Sequence, residues 1–406
     1  MTIPSSLPDE RADPGPESAP SPSPRLLIAV AMLAVGVAQG FGRFTYALLL
    51  PAIDRDMLHS YSLAGLLATA NVAAYLAGTL AVSVASSRLE PARLMRIGLV
   101  AATLGLGLLS VAAGMPSLLA GMVLTGLAGA FIWVPSPGLA GSVVADDRRG
   151  LAIGLLGAGI GISIVVAGQV ASVVRAIAGE DSWRPVWAVE AAVAAVALAA
   201  ALRWLRRAPG GDEEQGRVRL SALRAVPGWL GVVGAYAAYG LGYSLYVNYL
   251  VAALEEDAGF TVAHATAVYS LIGVAIVFGG VLLGRISDRV GRRAALVWGY
   301  VVMAACPLLV LAGSEPWASL SAFFFGLMLS GLGSVVAAHL ADHLPPRAFA
   351  AAFGTVTLFF GIAQVIGPQL GGWIAETTGS FSIAFGISSA AWLVGAASAA
   401  TMPRTR

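Results

Sequence analysis

Charge is what this chain has least of. Charged residues make up 11% of the 406, against roughly 25% in a soluble domain. With 58% hydrophobic residues and a mean hydropathy of +0.81, too little polar surface exists to cover a water-soluble fold. Lysine is missing altogether, so all 24 basic residues are arginine. A net charge of +2, with no basic patch interleaved with aromatics, excludes a nucleic-acid partner. The single cysteine, Cys306, excludes an intrachain disulfide. No G-x-x-x-x-G-K-[ST] loop is present, which argues against an ATP-driven pump. Four histidines, none deep in an apolar run, supply neither a metal cluster nor a catalytic base for an intramembrane enzyme. No cofactor is expected.

What is present is long apolar runs. They fall near 26–50, 62–85, 94–113, 117–143, 151–174, 186–202, 229–253, 263–284, 294–313, 317–339, 350–374 and 380–402. Each is close to the ~20 residues that cross a ~30 Å hydrocarbon core. Between Ile97 and Ala145 no charge occurs. A helix over that whole stretch would run ~73 Å, so Gly114, Met115 and Pro116 must make a turn. Before the first run, residues 1–25 hold seven of the 21 prolines together with Asp9, Glu10, Asp13 and Glu17. That composition predicts a disordered tail, and its acidic character is wrong for a cleaved secretory leader.

Arginine placement fixes an orientation. Twenty of the 24 arginines fall in the tails and in alternate loops on one side, and Arg55, Arg175 and Arg184 fall on the other. By the positive-inside rule both termini are cytoplasmic in a bacterial inner membrane. The polar stretch from Arg203 to Arg224 divides the spans six and six. A shift of about 200 lays Gly40, Gly42 and Tyr46 on Gly240, Gly242 and Tyr246, and Gly154, Gly161 and Gln169 on Gly354, Gly361 and Gln369. The expected organisation is a tail (1–25), an N-terminal six-helix bundle (26–202), a cytoplasmic linker (203–228) and a C-terminal six-helix bundle (229–403). Two parallel repeats with a site between them near the midplane describe an alternating-access carrier.

The string GRISDRVGRR, from Gly284 to Arg293, sits between two spans as a short charged hairpin. It matches the G-x-x-x-D-R-x-G-R-R signature of the major facilitator superfamily, which the chain resembles over 26–403. Ser182–Trp183–Arg184 before the sixth span, and Gln364, Gly367, Pro368 and Gly371 in the eleventh, are also similar to that family. QGFGRFTYALLLP, from Gln39 to Pro51, resembles a bacterial branch, the YbfB/YjiJ-like permeases. The resemblance implies an all-α integral membrane fold of twelve transmembrane helices in two pseudo-symmetric bundles. It also implies that the hairpin docks at the start of the fifth span, around Gly150 and Leu151. Asp288 would then stabilise the outward-facing state, with Gly284, Arg289, Gly291 and Arg292 shaping the latch. There are departures from the family pattern. Ser83, Ser87 and Arg88 stand where a first-half signature would place its glycine, Asp and Arg, and the fourth span has no arginine between Gly121 and Ala130. Export of cationic drugs by proton exchange is not supported.

Arg43 is the sharpest candidate for cargo, placed in the outer third of the first span. An arginine in a span is costly unless it faces protein or water, and guanidinium can hold a carboxylate bidentately. Tyr236, Tyr239, Tyr243 and Tyr246 fall on one helical face. Tyr239, Tyr243 and Tyr246, with Gln39, Tyr46, Asn71, Trp133 and Gln364, are the expected lining. Glu190, read as near-interfacial, and Asp342, beside His339 and His343, are the candidates for proton coupling. Asp54, Asp56, Glu255, Glu256 and Asp257 read as solvated loop charges. The expected function is secondary transport of a small, anionic organic solute by a monomer in the lipid bilayer. A co-transported proton and outward transport are both compatible with it. The alternative is a receptor on the same scaffold that moves nothing.

Overall fold

The computed structural model describes residues 22–145, 148–205 and 220–403, and among these no strand occurs. Among the described residues twelve helices are long and apolar enough to cross a membrane. They are α1 Pro24–Leu58, α2 Tyr61–Ala85, α3 Pro91–Ser110, α4 Met115–Ser142, α5 Gly150–Ala178 and α6 Arg184–Trp204. The second set is α7 Trp229–Asp257, α8 Val262–Val290, α9 Arg292–Leu311, α10 Glu315–Ala341, α11 Ala351–Thr378 and α12 Ser382–Ala400. Most of the expected tail, and the expected linker over 206–219, lie outside the described residues. The spans expose large apolar side chains such as Ile177 (82%) and Val84 (75%), a surface suited to lipid and not to water.

Local chemistry sets the ends. Pro91, Pro116, Pro185 and Pro316 sit in the first turns of their helices, where a missing N–H costs nothing. Gly114 indeed divides α3 from α4, with its N–H and that of Ala113 bonded to Ser117 Oγ. The expected hairpin after the eighth span is tighter than its charge pattern suggests. Helix α8 runs through Val290, Gly291 turns the chain at φ +89°, and α9 starts at Arg292. A side chain at 291 would be strained in that conformation.

The first span is longer than its apolar run, because the helix continues through Pro51 to Leu58. Two π-helical stretches, Gly36–Phe44 and Asp54–Leu58, widen it. The end of α7 repeats the second of these at Ala253–Asp257, about 200 residues on. Arg43 therefore lies near the middle of α1, ~22 Å of helix from its end, and not in its outer third. Packing repeats likewise. In the first bundle α3 packs on α4 and α6 and α2 on α4; in the second α9 packs on α10 and α12 and α8 on α10. Across the seam α2 meets α11 and α5 meets α8, while α1 meets α7. These pairs are exchanged by a twofold relation. Helices α7 and α1 are the most buried spans, so they stand at the centre.

Candidate functional site

The two central helices carry the pocket. Its lining includes Arg43, Tyr46, Asn71, Tyr243 and Gln364, five of the nine expected cargo contacts, and adds Asn248 and Tyr269. Its cavity holds about 20 Å³, room for about one water, so the pocket is nearly closed around these side chains. Several lining groups are already committed. Asn71 Nδ2 donates to Gly42 O, Met122 O and Thr125 Oγ1 at 3.0–3.1 Å, locking α2 to α1 and α4. The Tyr46 hydroxyl donates to Ala64 O (2.8 Å) and that of Tyr269 to Phe44 O (3.0 Å).

Arg43 is different. Its guanidinium lies over the Tyr75 ring, 5.0 Å from the centroid, a contact worth on the order of 1–2 kcal/mol. Its Nη2 is buried and has no hydrogen-bond partner among the described residues. Across the pocket, Gln364 Oε1 is likewise buried without a partner. Tyr243, the repeat mate of Arg43, packs between Phe44, Phe325 and Phe360.

The other expected contacts sit elsewhere. Tyr239 donates its hydroxyl to Leu329 O and packs on Trp392. Tyr246 shares a 2.6 Å hydrogen bond with Ser321 and stacks on Phe325. Both phenols brace the second bundle. Gln39 is buried beside Gly129, and Trp133 is half-buried near the end of the regular part of α4. The signal that separates these from Tyr243 is not periodicity, which they share, but which neighbouring helix supplies an acceptor.

A second constellation was not legible as a site. At the face opposite the chain termini, Arg55 bridges Asp181 (2.8 Å) and Glu255 (3.2 Å), and Arg175 lies 3.7 Å from Glu255. The Tyr61 hydroxyl donates to Glu256, and Glu376 accepts from Ser60 Oγ (2.6 Å) and Ser62 N (2.7 Å). Each of these contacts except Arg55–Asp181 joins the first bundle to the second. The reading of Glu255 as a solvated loop charge is therefore corrected, while Glu256 is exposed as expected but bonded to Tyr61. They lie on the last turn of α7, and the Glu255 side chain is 5% exposed. Asp54 and Asp56 also belong to a helix end, Asp56 pairing with Arg184 at 2.8 Å.

Glycines show where the bundles touch. A Cβ on Gly161 would stand 2.4 Å from Gly273 O, and one on Gly372 2.0 Å from Tyr61 O. Contacts that close need a residue with no side chain. The same stripe of α5 then parts from its neighbours, for a Cβ on Gly157, Gly154 or Gly150 would meet nothing within 4 Å. Gly284 on α8 also faces open space. Near it Arg292 pairs with Asp288 and with Asp342 (3.0 Å), all within the second bundle. The Asp288 side chain is 62% exposed. Asp342 thus stands in an ion-pair cluster, while Glu190, expected near the interface, is fully buried.

Twelve spans in two exchanged sets of six, with a polar pocket between the central pair, define a transporter of the major facilitator class. The family model described as "Uncharacterised MFS-type transporter YbfB" matches residues 35–400, and the chain belongs to that family. It is similar to a monocarboxylate transporter 12-B of Danio rerio, 24% identical over 40% of this chain and 35% of that protein. It is also similar to a gentisate transporter of Corynebacterium glutamicum, 34% identical over 33% of this chain and 29% of that protein. A putative metabolite transport protein of Haemophilus influenzae is 28% identical over 35% of this chain and 36% of that protein. The chain thus spans about a third of the length of these relatives.

Proposed function

We propose that the protein carries a small organic anion, a monocarboxylate, by alternating access in a bacterial inner membrane. The observation that carries this reading is the buried Nη2 of Arg43, unpartnered and beside a pocket at the centre of the seam. A guanidinium in a low-dielectric site is stable when an anion completes it, and a carboxylate fits its fork. Tyr243 and Gln364 supply further hydrogen-bonding groups to the same solute. Two relatives whose names are monocarboxylate transporter and gentisate transporter support the class.

With both termini in the cytoplasm, as the arginine bias indicates, the face sealed by Arg55, Glu255 and Glu376 is the outer one. The pocket then opens inward, and the protein works as a monomer of two rocking bundles (26–202 and 229–403) joined by a cytoplasmic linker (203–228). In the outward-facing state Asp288 leaves Arg292 and meets the start of α5, with Gly284, Arg289 and Gly291 forming the turn. The test is a thermal-shift screen of the purified protein against monocarboxylates, followed by flux into proteoliposomes. Stabilisation by a carboxylate that disappears in Arg43→Ala, together with saturable flux, supports the reading. Binding unchanged in Arg43→Ala refutes the site, and binding without flux for every ligand favours a receptor.

A further inference from the structure

Glu190 lies on α6, the least buried of the spans, yet its own side chain is fully buried. Its Oε1 accepts a hydrogen bond from the Thr45 hydroxyl at 2.7 Å. Its Oε2 is buried with no hydrogen-bond partner among the described residues. Helix α6 packs on α3, α1 and α5. The ionisable groups those helices bring are few. On α1, Arg43 and Tyr46 flank Thr45, Arg43 over Tyr75 and Tyr46 bonded to Ala64 O. On α5, Arg175 is engaged by Glu255. Helix α3 carries Arg93 and Arg96 near its start and no ionisable residue after them. At the far end of α1, Arg55 is engaged by Asp181 and Glu255 and Asp56 by Arg184, with Asp54 accepting from Ser60 N. Among the described residues no cation lies within ion-pair distance of Glu190.

A carboxylate buried in a span with one donor and no cation is an uncompensated charge, and binding a proton removes it. Packing alone does not ask for an acid here. At the corresponding contact in the second bundle, α12 meets α7 through the Ser388 hydroxyl, which donates to Gly242 O at 2.8 Å. The partner of Glu190 is also informative. Thr45 closes the nine-residue π-helical stretch Gly36–Phe44, and such wide turns recur at functional sites. Arg43 stands two residues before Thr45, so a movement of α1 that shifts one shifts the other.

We infer that Glu190 is a proton-binding site of the transport cycle. It holds a proton as the carboxylic acid while the face opposite the termini is closed, and releases that proton to solvent when α1 moves relative to α6. The inference rests on the carrier family and on Glu190–Thr45, not on the identity of the cargo.

Two measurements on the purified chain in nanodiscs, without cargo, test it. The first is the infrared carbonyl stretch of protonated carboxyls. One such band should vanish in Glu190→Gln and shift in Thr45→Val. Identical bands in parent and Glu190→Gln overturn the proposal. The second is the distance between spin labels at Ile177→Cys on α5 and Trp317→Cys on α10, both exposed at the closed face, with Cys306 buried. Alkaline medium should open that face in the parent, because the carboxylate is not accommodated there. Glu190→Gln, which mimics the protonated acid, should lose this alkaline shift. Loss of the Glu255 and Glu256 contacts would open the same face in acid, so the sign distinguishes the two. A parent profile that superimposes on that of Glu190→Gln overturns the coupling even when the infrared band is present.

Discussion

Replacing Glu255 by Gln removes one charge from the centre of the closed face and leaves the volume nearly unchanged. Its carboxylate is 5% exposed and faces Arg175, which is 1% exposed, at 3.7 Å, and Arg55, which is 38% exposed, at 3.2 Å. The two partners contribute unequally. The half-solvated Arg55 contact is worth ~1 kcal/mol or less, by analogy with surface pairs. The buried Arg175 loses the opposite charge 3.7 Å away, a contact too long for a hydrogen bond, and leaving a buried charged group without its partner costs about 1–3 kcal/mol or more. When the bundles part on this face, water takes over both arginines, so the loss falls on the closed state. A net shift of about 2 kcal/mol is a ~30-fold change in the ratio of open to closed forms. The assay uses Thr69→Cys, whose position on α2 bonds across the seam to Val365 O at 3.1 Å. Cys306 is buried and gives little background. Maleimide labelling at position 69 should accelerate by tenfold or more in Glu255→Gln over the parent reporter. An unchanged rate in a normally folded protein would refute the view that this cluster holds the face shut.

Other substitutions separate bracing from transport. Tyr246→Phe removes the Ser321 hydrogen bond and should lower stability by roughly 0.6–1 kcal/mol while leaving carboxylate affinity intact, read by denaturation and thermal shift. Tyr243→Phe should do the reverse, and equal loss of affinity in both would contradict the assignment of the lining. Asp288→Asn changes an exposed pair, so the melting temperature should move little, whereas flux should fall; unchanged flux and unchanged accessibility of the pocket from the terminal face would count against the latch. Gly273→Val would place Cβ 2.5 Å from Gly161 O. It should hold the α5–α8 seam apart and leave the protein folded but inactive in flux.

Arg43 shows how far a linear reading reaches. An arginine between Gly42 and Phe44 inside an apolar run signals an inner-facing cation from composition and transfer cost alone. Its depth was misjudged, because Pro51 looks like a helix end and the chain instead continues for another two turns through a π-helical stretch. The tyrosines of α7 show the opposite case. Their spacing places them on one face, but Leu329 O and Ser321 claim two of the hydroxyls, and those acceptors come from α10, some 75–90 residues away. Glu255 and Glu190 were misjudged for one reason. Each lies near the end of a span, where position suggests water, and burial there depends on which helix leans over it.

The count of spans, their order, the repeat of one six-helix set as two and the side on which the loop arginines fall belong to the sequence by itself. Lipid imposes a length and a polarity on each crossing, and both are properties of a single segment. Tertiary structure alone decided which face is closed, which phenols are free and where an acid is stranded. Those outcomes depend on contacts between helices far apart in the chain, where a few ångströms of approach separate a bonded group from an unpartnered one.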